Sequence, residues 1–347
     1  MKSRHIDAFL SIYAPNIFYL SGFSGSSGFI CVTAKAAHLY TDFRYLQQAA
    51  EEAPAFEITR VGSMDDFSAM AVFLSKNGMK NLALEGAHLT LRTYDILQEA
   101  ILGVELTPQF NFIEEIRAVK EEPEIKKIAA AAQIADDALR QTLPLLKPGM
   151  RENEIAVELE YRLRKKGSLK NPFEFIVASG PRSALPHGTA SERVIIEGDF
   201  ITIDFGAVFE GYSSDMTRTF LWGEPTEKQT SVYNMVLKAQ ELALQKIKAG
   251  QSANMIDAVA REYFKDNGYD SCFGHGLGHG VGLEVHELPT LSPKSSGFLE
   301  EGMVVTVEPG LYFEGWGGVR IEDLVVVRKN GPQILTTAPK KQLRIKN

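Results

Sequence analysis

Over the last two-thirds of the chain the spacing of apolar positions changes twice, in the same order each time. KIAAAAQIADDALRQTL and ENEIAVELEYRLRKKG place apolar residues three and four apart and predict two helices. The uninterrupted apolar runs FEFIVASG, DFITIDFG and RTFLWG follow and read as buried strands. Helical spacing then returns over roughly 226–248 and 252–266, and strand-like runs return in MVVTVEPG and EDLVVVRK. The helix ends carry their own signals. Pro123 suits a first turn, with Glu121, Glu122 and Glu124 near its positive end. Thr226 opens the capping pattern T-E-K-Q, and Gly167 and Asn267-Gly268 close two helices. The first third is built differently. LSIYAPNIFYLSGF, GFICVT, AHLYTDF, LALEG and GVELTP predict strands or strand edges. YLQQAAEEA, DDFSAMAVFLSKNG and RTYDILQEAIL predict helices. With the charged stretch RAVKEEPEIKK as the divide, the pattern predicts a smaller α/β domain over 1–120 and a duplicated α+β domain over 121–347.

The duplication is also written in the residues themselves. EGDFITIDFGAVFEGY (197–212) and EGMVVTVEPGLYFEGW (301–316) align at an offset of 104. Glu197, Gly198, Thr202, Gly206, Phe209, Glu210 and Gly211 recur as Glu301, Gly302, Thr306, Gly310, Phe313, Glu314 and Gly315. Asp204 falls opposite Glu308, each closing an apolar run, and a second acid follows each copy: Asp215 in SSDMT and Glu322 in RIEDL. Strand parity puts Phe200, Thr202 and Asp204 on one face, and Val304, Thr306 and Glu308 on the equivalent face. Asp215 shares a face with Thr217, and Arg320 with Glu322, so Arg320 is placed to hold a neighbouring ligand carboxylate. Burying an uncompensated carboxylate costs on the order of several kcal/mol. Four of them on paired strands therefore require cations.

Composition narrows the setting. A hydrophobic share of 44% and a charged share of 23% are ordinary for a soluble globular chain. A net charge of −7 offers no footprint for nucleic acid or an anionic membrane surface. Cys31 and Cys272 alone make neither a disulfide framework nor a C-x-x-C zinc pair. Asp7 interrupts the only place a signal peptide's apolar stretch could lie, and no apolar run reaches the roughly eighteen residues of a membrane span. A cytoplasmic protein is expected. GFSGSSG (22–28) lacks the Lys of a P-loop and reads as a structural turn.

FGHGLGHGVGLEVHE (273–287) supplies imidazoles. His275 and His279 are four apart, but five glycines between 274 and 282 exclude a stable helix, each costing about 1 kcal/mol relative to Ala. The zincin pattern H-E-x-x-H and the dinucleotide pattern G-x-G-x-x-G are both absent. His279 and His286 remain as candidates facing a pocket, with His187 in the loop ASGPRSALPHGTAS before the first carboxylate strand. Carboxylates and imidazoles without thiolates suit Mn²⁺, Co²⁺, Zn²⁺ or Fe²⁺. Four carboxylates balance two divalent ions better than one, which leads to the expectation of a dinuclear hydrolase centre.

PHG (186–188), IDFG (203–206), SDMTR (214–218), GHGLGHGVGLEVHE (274–287), VEPG (307–310) and GVRIED (318–323) together closely resemble the creatinase/prolidase metallopeptidases, family M24, with the pita-bread fold. YLSGFSGSSG (19–28) and TDFRY (41–45) resemble that family's smaller N-terminal domain more loosely. The resemblance implies a duplicated pita-bread catalytic domain preceded by a creatinase-like α/β domain. It implies that Asp204 holds one metal, that His279 and Glu308 hold the other, and that Asp215 and Glu322 bridge them. Glu308 also handles the proton of the attacking water, and His187 and His286 contact the substrate carbonyl. Arg320, Thr217 and His275 surround the ligands, His275 as support for the pocket wall. The implied metals are Mn²⁺ or Co²⁺ first, then Zn²⁺ or Fe²⁺. The implied substrate is a proline-containing peptide cut at its N-terminal Xaa-Pro bond, as a dipeptide or a longer chain, by a homodimer that binds neither nucleic acid nor membrane.

Two alternatives compete. A methionine-type aminopeptidase has the same five ligands, but the separate N-terminal domain and SALPHG favour the proline branch. A non-catalytic pita-bread binding module, or a metal-free creatine hydrolase, would be expected to have lost ligands, and all five stand.

Overall fold

The computed structural model describes residues 6–147, 149–341 and 344–345. It divides into two compact units, Met1–Arg117 and Ala118–Asn347. The first holds β1 (Ala8–Ser11), α1 (Ala14–Ser21), β2 (Phe29–Thr33), β3 (Ala37–Thr41), α2 (Leu46–Glu52), β4 (Glu57–Arg60), α3 (Ser68–Lys76), β5 (Asn81–Glu85), α4 (Leu91–Ala100) and β6 (Glu105–Gln109), with α5 (Glu114–Ala118) at the boundary. Its six strands form one mixed sheet in the order β4-β3-β2-β1-β5-β6.

One segment corrects the sequence reading. LSIYAPNIFYLSGF is not strand throughout: β1 stops at Ser11 and Ala14–Ser21 is helical, with Pro15 in its first turn. The cause lies 69 to 74 residues away in sequence. Glu85 accepts hydrogen bonds from Ser11 Oγ (2.6 Å), the Ile12 and Tyr13 amides (2.9 Å each) and Asn16 Nδ2 (2.8 Å). Backbone donors leaving the strand are thus satisfied without a ladder partner, and the chain is free to turn into α1.

The second unit repeats its plan. The first half contains α6 (Glu122–Thr142), α7 (Glu152–Lys165), β7 (Ile176–Ser179), β8 (Phe200–Phe205), the short β9 (Val208–Phe209) and β10 (Tyr212–Ser213), and β11 (Met216–Leu221). The second half contains α8 (Glu227–Leu244), α9 (Ala253–Asp266), β12 (Gly278–Gly280), β13 (Glu287–Leu291), β14 (Val304–Val307), β15 (Gly310–Phe313), β16 (Gly317–Arg320), β17 (Asp323–Arg328) and β18 (Gly331–Ile334). The carboxylate strand is central in each sheet: β11-β8-β7 in one, β13-β12-β14-β17-β18 in the other. Capping boxes at Glu121/Glu124 and Thr226/Gln229 start α6 and α8.

Each half buries one face of its sheet on its own helix pair. Ile201, Ile203 and Phe205 pack with Ala135, Leu139, Ile155 and Leu159 of α6 and α7. Val305 and Val307 pack with Val236, Ala239, Ile256 and Ala260 of α8 and α9. Period-two alternation then turns Thr202, Asp204, Thr306 and Glu308 to the opposite faces, where the two halves meet. Among the described residues, no helix is long and apolar enough to cross a membrane.

Candidate metal centre

The acids converge because the strands that carry them are paired. Asp204 on β8 lies opposite Thr217 on β11, and Asp215 comes just before that strand. Glu308 follows β14 directly and Glu322 lies between β16 and β17. His279 comes in on β12, which pairs with β14 through Gly280 and Val305. The glycines flanking it are needed there. A Cβ on Gly278 would run into the Thr306 carbonyl, and one on Gly280 into the Leu288 carbonyl. A larger residue at 278 would push the imidazole strand away from the carboxylate strand, and one at 280 would push it away from β13.

Ligand atoms of Asp215, His279 and Glu322 all lie within 4.8 Å of one another. His279 Nε2 is 3.3 Å from Glu308 Oε1 and 3.6 Å from Asp215 Oδ2. Its Nδ1 lies 3.1 Å from the Gly280 carbonyl, an acceptor only, so Nδ1 carries the proton. Burial holds this imidazole's pKa down, so Nε2 presents a lone pair to two carboxylates. Three buried oxygens, Asp204 Oδ1, Asp215 Oδ1 and Glu322 Oε1, accept no hydrogen bond in this structure. A buried oxygen without a partner is costly, and three lining one cavity are the signature of a cation site. The donor set therefore fits divalent metals.

The electrostatics agree. Burial, reinforced by Glu322, Asp204 and Glu308, raises the Asp215 pKa well above the carboxylate range. Glu322 is raised likewise, by burial and then by Glu308 and Asp204. Glu308 is pushed up to about 8, mainly by burial, with Arg320 opposing and Asp204 adding to the rise. Acids this unwilling to ionise together are a high-energy arrangement that cations relieve.

Polar neighbours orient several of the candidate ligands. The buried Arg320 donates from Nη2 to Asp204 Oδ2 (2.7 Å), from Nε to Thr217 Oγ1 (3.0 Å), and from Nη1 to Tyr312 Oη (3.0 Å) and the Pro186 carbonyl (3.2 Å). The Thr217 hydroxyl in turn donates a hydrogen bond to Glu322 Oε2 at 2.6 Å. The Gly276 carbonyl only accepts, so His275 Nδ1 donates to it (2.8 Å), and Nε2 of the neutral ring accepts from the Tyr312 hydroxyl (2.8 Å). Both ring nitrogens of His275 are thereby used, and burial lowers its pKa to about 4. His187 and His286 are exposed at the cavity wall, the His286 ring centroid 4.2 Å from that of His279. The cavity measures about 470 Å³ and also has an apolar side of Phe173, Ile176 and Pro186.

Nine of the ten sequence candidates line this one cavity, and the tenth, Thr217, is hydrogen-bonded to two residues that do. Two site residues were not assigned from sequence. Thr306 accepts from the His279 amide (3.0 Å) and donates to Glu308 Oε1 (3.2 Å), so one hydroxyl aligns two candidate ligands. Its place on the face of Glu308 was the available signal. Tyr312 carried none, because it meets His275 and Arg320 only through the β15–β16 hairpin.

A two-fold repeated sandwich with buried carboxylates and an imidazole at its seam defines a metal-dependent hydrolase class. The profile of the metallopeptidase family M24 matches residues 126–329, and that of the creatinase/prolidase N-terminal domain matches residues 1–119. The chain belongs to the M24 metallopeptidases, which use divalent metal. It superposes on a solved structure called Xaa-Pro dipeptidase, from Bacillus anthracis, with a TM-score of 0.95 at 42% identity, covering 99% of this chain and 96% of that one. A structure called X-Pro aminopeptidase, from Thermotoga maritima MSB8, gives a TM-score of 0.92 at 41% identity, covering 98% of both chains. In sequence it is 40% identical over 337 residues to a Pyrococcus horikoshii protein named Xaa-Pro dipeptidase, covering 97% of this chain and 94% of that protein.

Proposed function

We propose that this chain is a dinuclear metal-dependent exopeptidase that hydrolyses the Xaa-Pro bond at peptide N-termini. The observation that carries the reading is the clustering of Asp215 and Glu322 with His279, together with unpartnered buried oxygens on Asp204, Asp215 and Glu322. Asp204, Asp215, His279, Glu308 and Glu322 would hold the ions, Mn²⁺ or Co²⁺, with Asp215 and Glu322 serving both. When bound, two such ions supply an acidified water and a polarised scissile carbonyl. The chain's own residues do the rest. Thr306 turns Glu308 Oε1 toward His279, leaving Oε2 to take the proton of the attacking water and deliver it to the leaving nitrogen. Partial desolvation at the cavity wall lowers the His286 pKa and favours the neutral imidazole, which with His187 can donate a hydrogen bond to the carbonyl oxygen as charge develops. The apolar side of Phe173, Ile176 and Pro186 suits a pyrrolidine ring, and a proline nitrogen asks for no acceptor there. Relatives named both dipeptidase and aminopeptidase support the proline bond as the common element. The resemblance extends the reading to a cytoplasmic homodimer, which sedimentation would test.

Chelated protein should leave Ala-Pro intact, and protein restored with Mn²⁺ or Co²⁺ to about two ions per chain should cleave Ala-Pro and longer Ala-Pro peptides while sparing Ala-Ala. Equal kcat/KM for Ala-Ala and Ala-Pro would overturn the proline reading, and full activity in metal-free protein would overturn the mechanism.

A further inference from the structure

The loop that brings Pro186 and His187 to the cavity is held from behind by a residue with no atom in the cavity. Glu152 is the first residue of α7 and its side chain is fully buried, 0% exposed. Its Oε1 accepts from the Ser179 amide and hydroxyl, both at 2.7 Å. Its Oε2 accepts from Ser191 Oγ (2.6 Å), the Ser191 amide (3.1 Å) and Arg182 Nη1 (2.9 Å). One carboxylate thus ties together the end of β7, the middle of the loop and the strand-ward return at Ser191. Arg182 extends the tie by donating from Nη2 to the Thr189 carbonyl at 2.8 Å. From the cavity side the Gly318 amide donates to Ser183 Oγ (2.8 Å), and Arg320 reaches the Pro186 carbonyl. A Cβ on Gly318 would strike the Ser183 carbonyl, so the hairpin and loop are in direct backbone contact.

A buried carboxylate accepting five hydrogen bonds is far more than α7 needs for its first turn. The donors belong to both ends of one loop, and that loop carries a residue proposed to touch substrate. We propose that Glu152 is a positioning residue for catalysis, fixing the 180–190 loop so that His187 stands at the carbonyl of the scissile bond. The inference rests on the role given to His187 above. An ångström of misplacement in such a group lowers turnover by up to about a hundredfold. Glu152 is suited to the task because a carboxylate only accepts. An amide in its place would turn an NH₂ toward Ser179 or Ser191 donors and release one end of the loop.

The test is a double-mutant cycle on the metal-loaded enzyme with Ala-Pro as substrate. E152Q should keep two metals per chain, lower kcat at least about tenfold and change KM less. In the H187A background, E152Q should lower kcat by no more than about twofold further, because the group it positions is gone. E152D, which keeps the charge, should recover part of the loss. The same fold-loss of kcat in both backgrounds, or an unchanged kcat in E152Q, would overturn the proposal. Should E152Q not accumulate folded, R182M removes only the tie from mid-loop and carries the same cycle with the same criteria. Failure of the underlying reading looks different: H187A alone would then turn over at the wild-type rate with its metals in place.

Discussion

Removing the metals should make the protein's stability fall as pH rises through neutrality. In the metal-free protein Glu308 has its pKa raised from 4.5 to about 8, so the folded state holds a proton that the unfolded chain has given up. A raised acid contributes stability that is complete below the unfolded pKa and lost as pH climbs through the folded one. Between pH 6.5 and 8.5 a single group with these values loses roughly 2 kcal/mol. Asp215 and Glu322, also raised, add to the same sign. The window matters because His275, His279 and His286 are lowered by burial and oppose the trend most strongly below about pH 6.5, where the unfolded chain binds their protons. At pH 6.5 the unfolded imidazoles are still about half protonated, which offsets roughly 0.4 kcal/mol of the fall per histidine, and the opposition fades by about pH 7.5. For a domain of this size the loss corresponds to about 4–8 °C in Tm. Scanning calorimetry of chelated protein at pH 6.5 and 8.5, at one ionic strength, reads it directly. E308Q should show a smaller fall. Metal-loaded protein should show none, because cations bind the deprotonated acids and compete better as protons become scarce. A chelated protein equally or more stable at pH 8.5 would refute the claim that the acid cluster is strained without cations.

Three further outcomes follow from the geometry. D215N or E322Q should lose both metals together in metal analysis, whereas D204N should retain one, and unchanged occupancy in the bridging variants would reject that assignment. T217V removes the 2.6 Å hydrogen bond to Glu322 and the acceptor for Arg320 Nε, so metal affinity should weaken about 10- to 100-fold by titration with no ligand removed. G278A should lower metal affinity as well, because its Cβ displaces the His279 strand from Thr306, and a calorimetric titration matching wild type would exclude that close approach.

Much of the centre was legible along the chain. Period-two parity put Thr202, Asp204, Thr306 and Glu308 on one pair of faces, and those faces are the ones that meet. Helix order, caps and the 104-residue offset announced the duplicated plan, because capping and periodicity are local and a repeat reports its own partner. The misread at Ala14–Ser21 shows the limit. IFYL favours a strand by propensity, but Glu85 satisfies the backbone donors at Ile12 and Tyr13, and the chain turns helical.

What the sequence by itself determined was therefore the inventory: which acids and imidazoles, on which strands, in two copies, and the family to which those motifs belong. The tertiary structure alone decided how each is held. Arg320 reaches Asp204 across 116 positions, Tyr312 hydrogen-bonds His275 across 37, and Glu152 grips a loop that returns at Ser191. The physical reason is that a hydrogen bond to a buried charge depends on distances of about 3 Å between groups that folding brings together, and periodicity reports only which face a residue occupies.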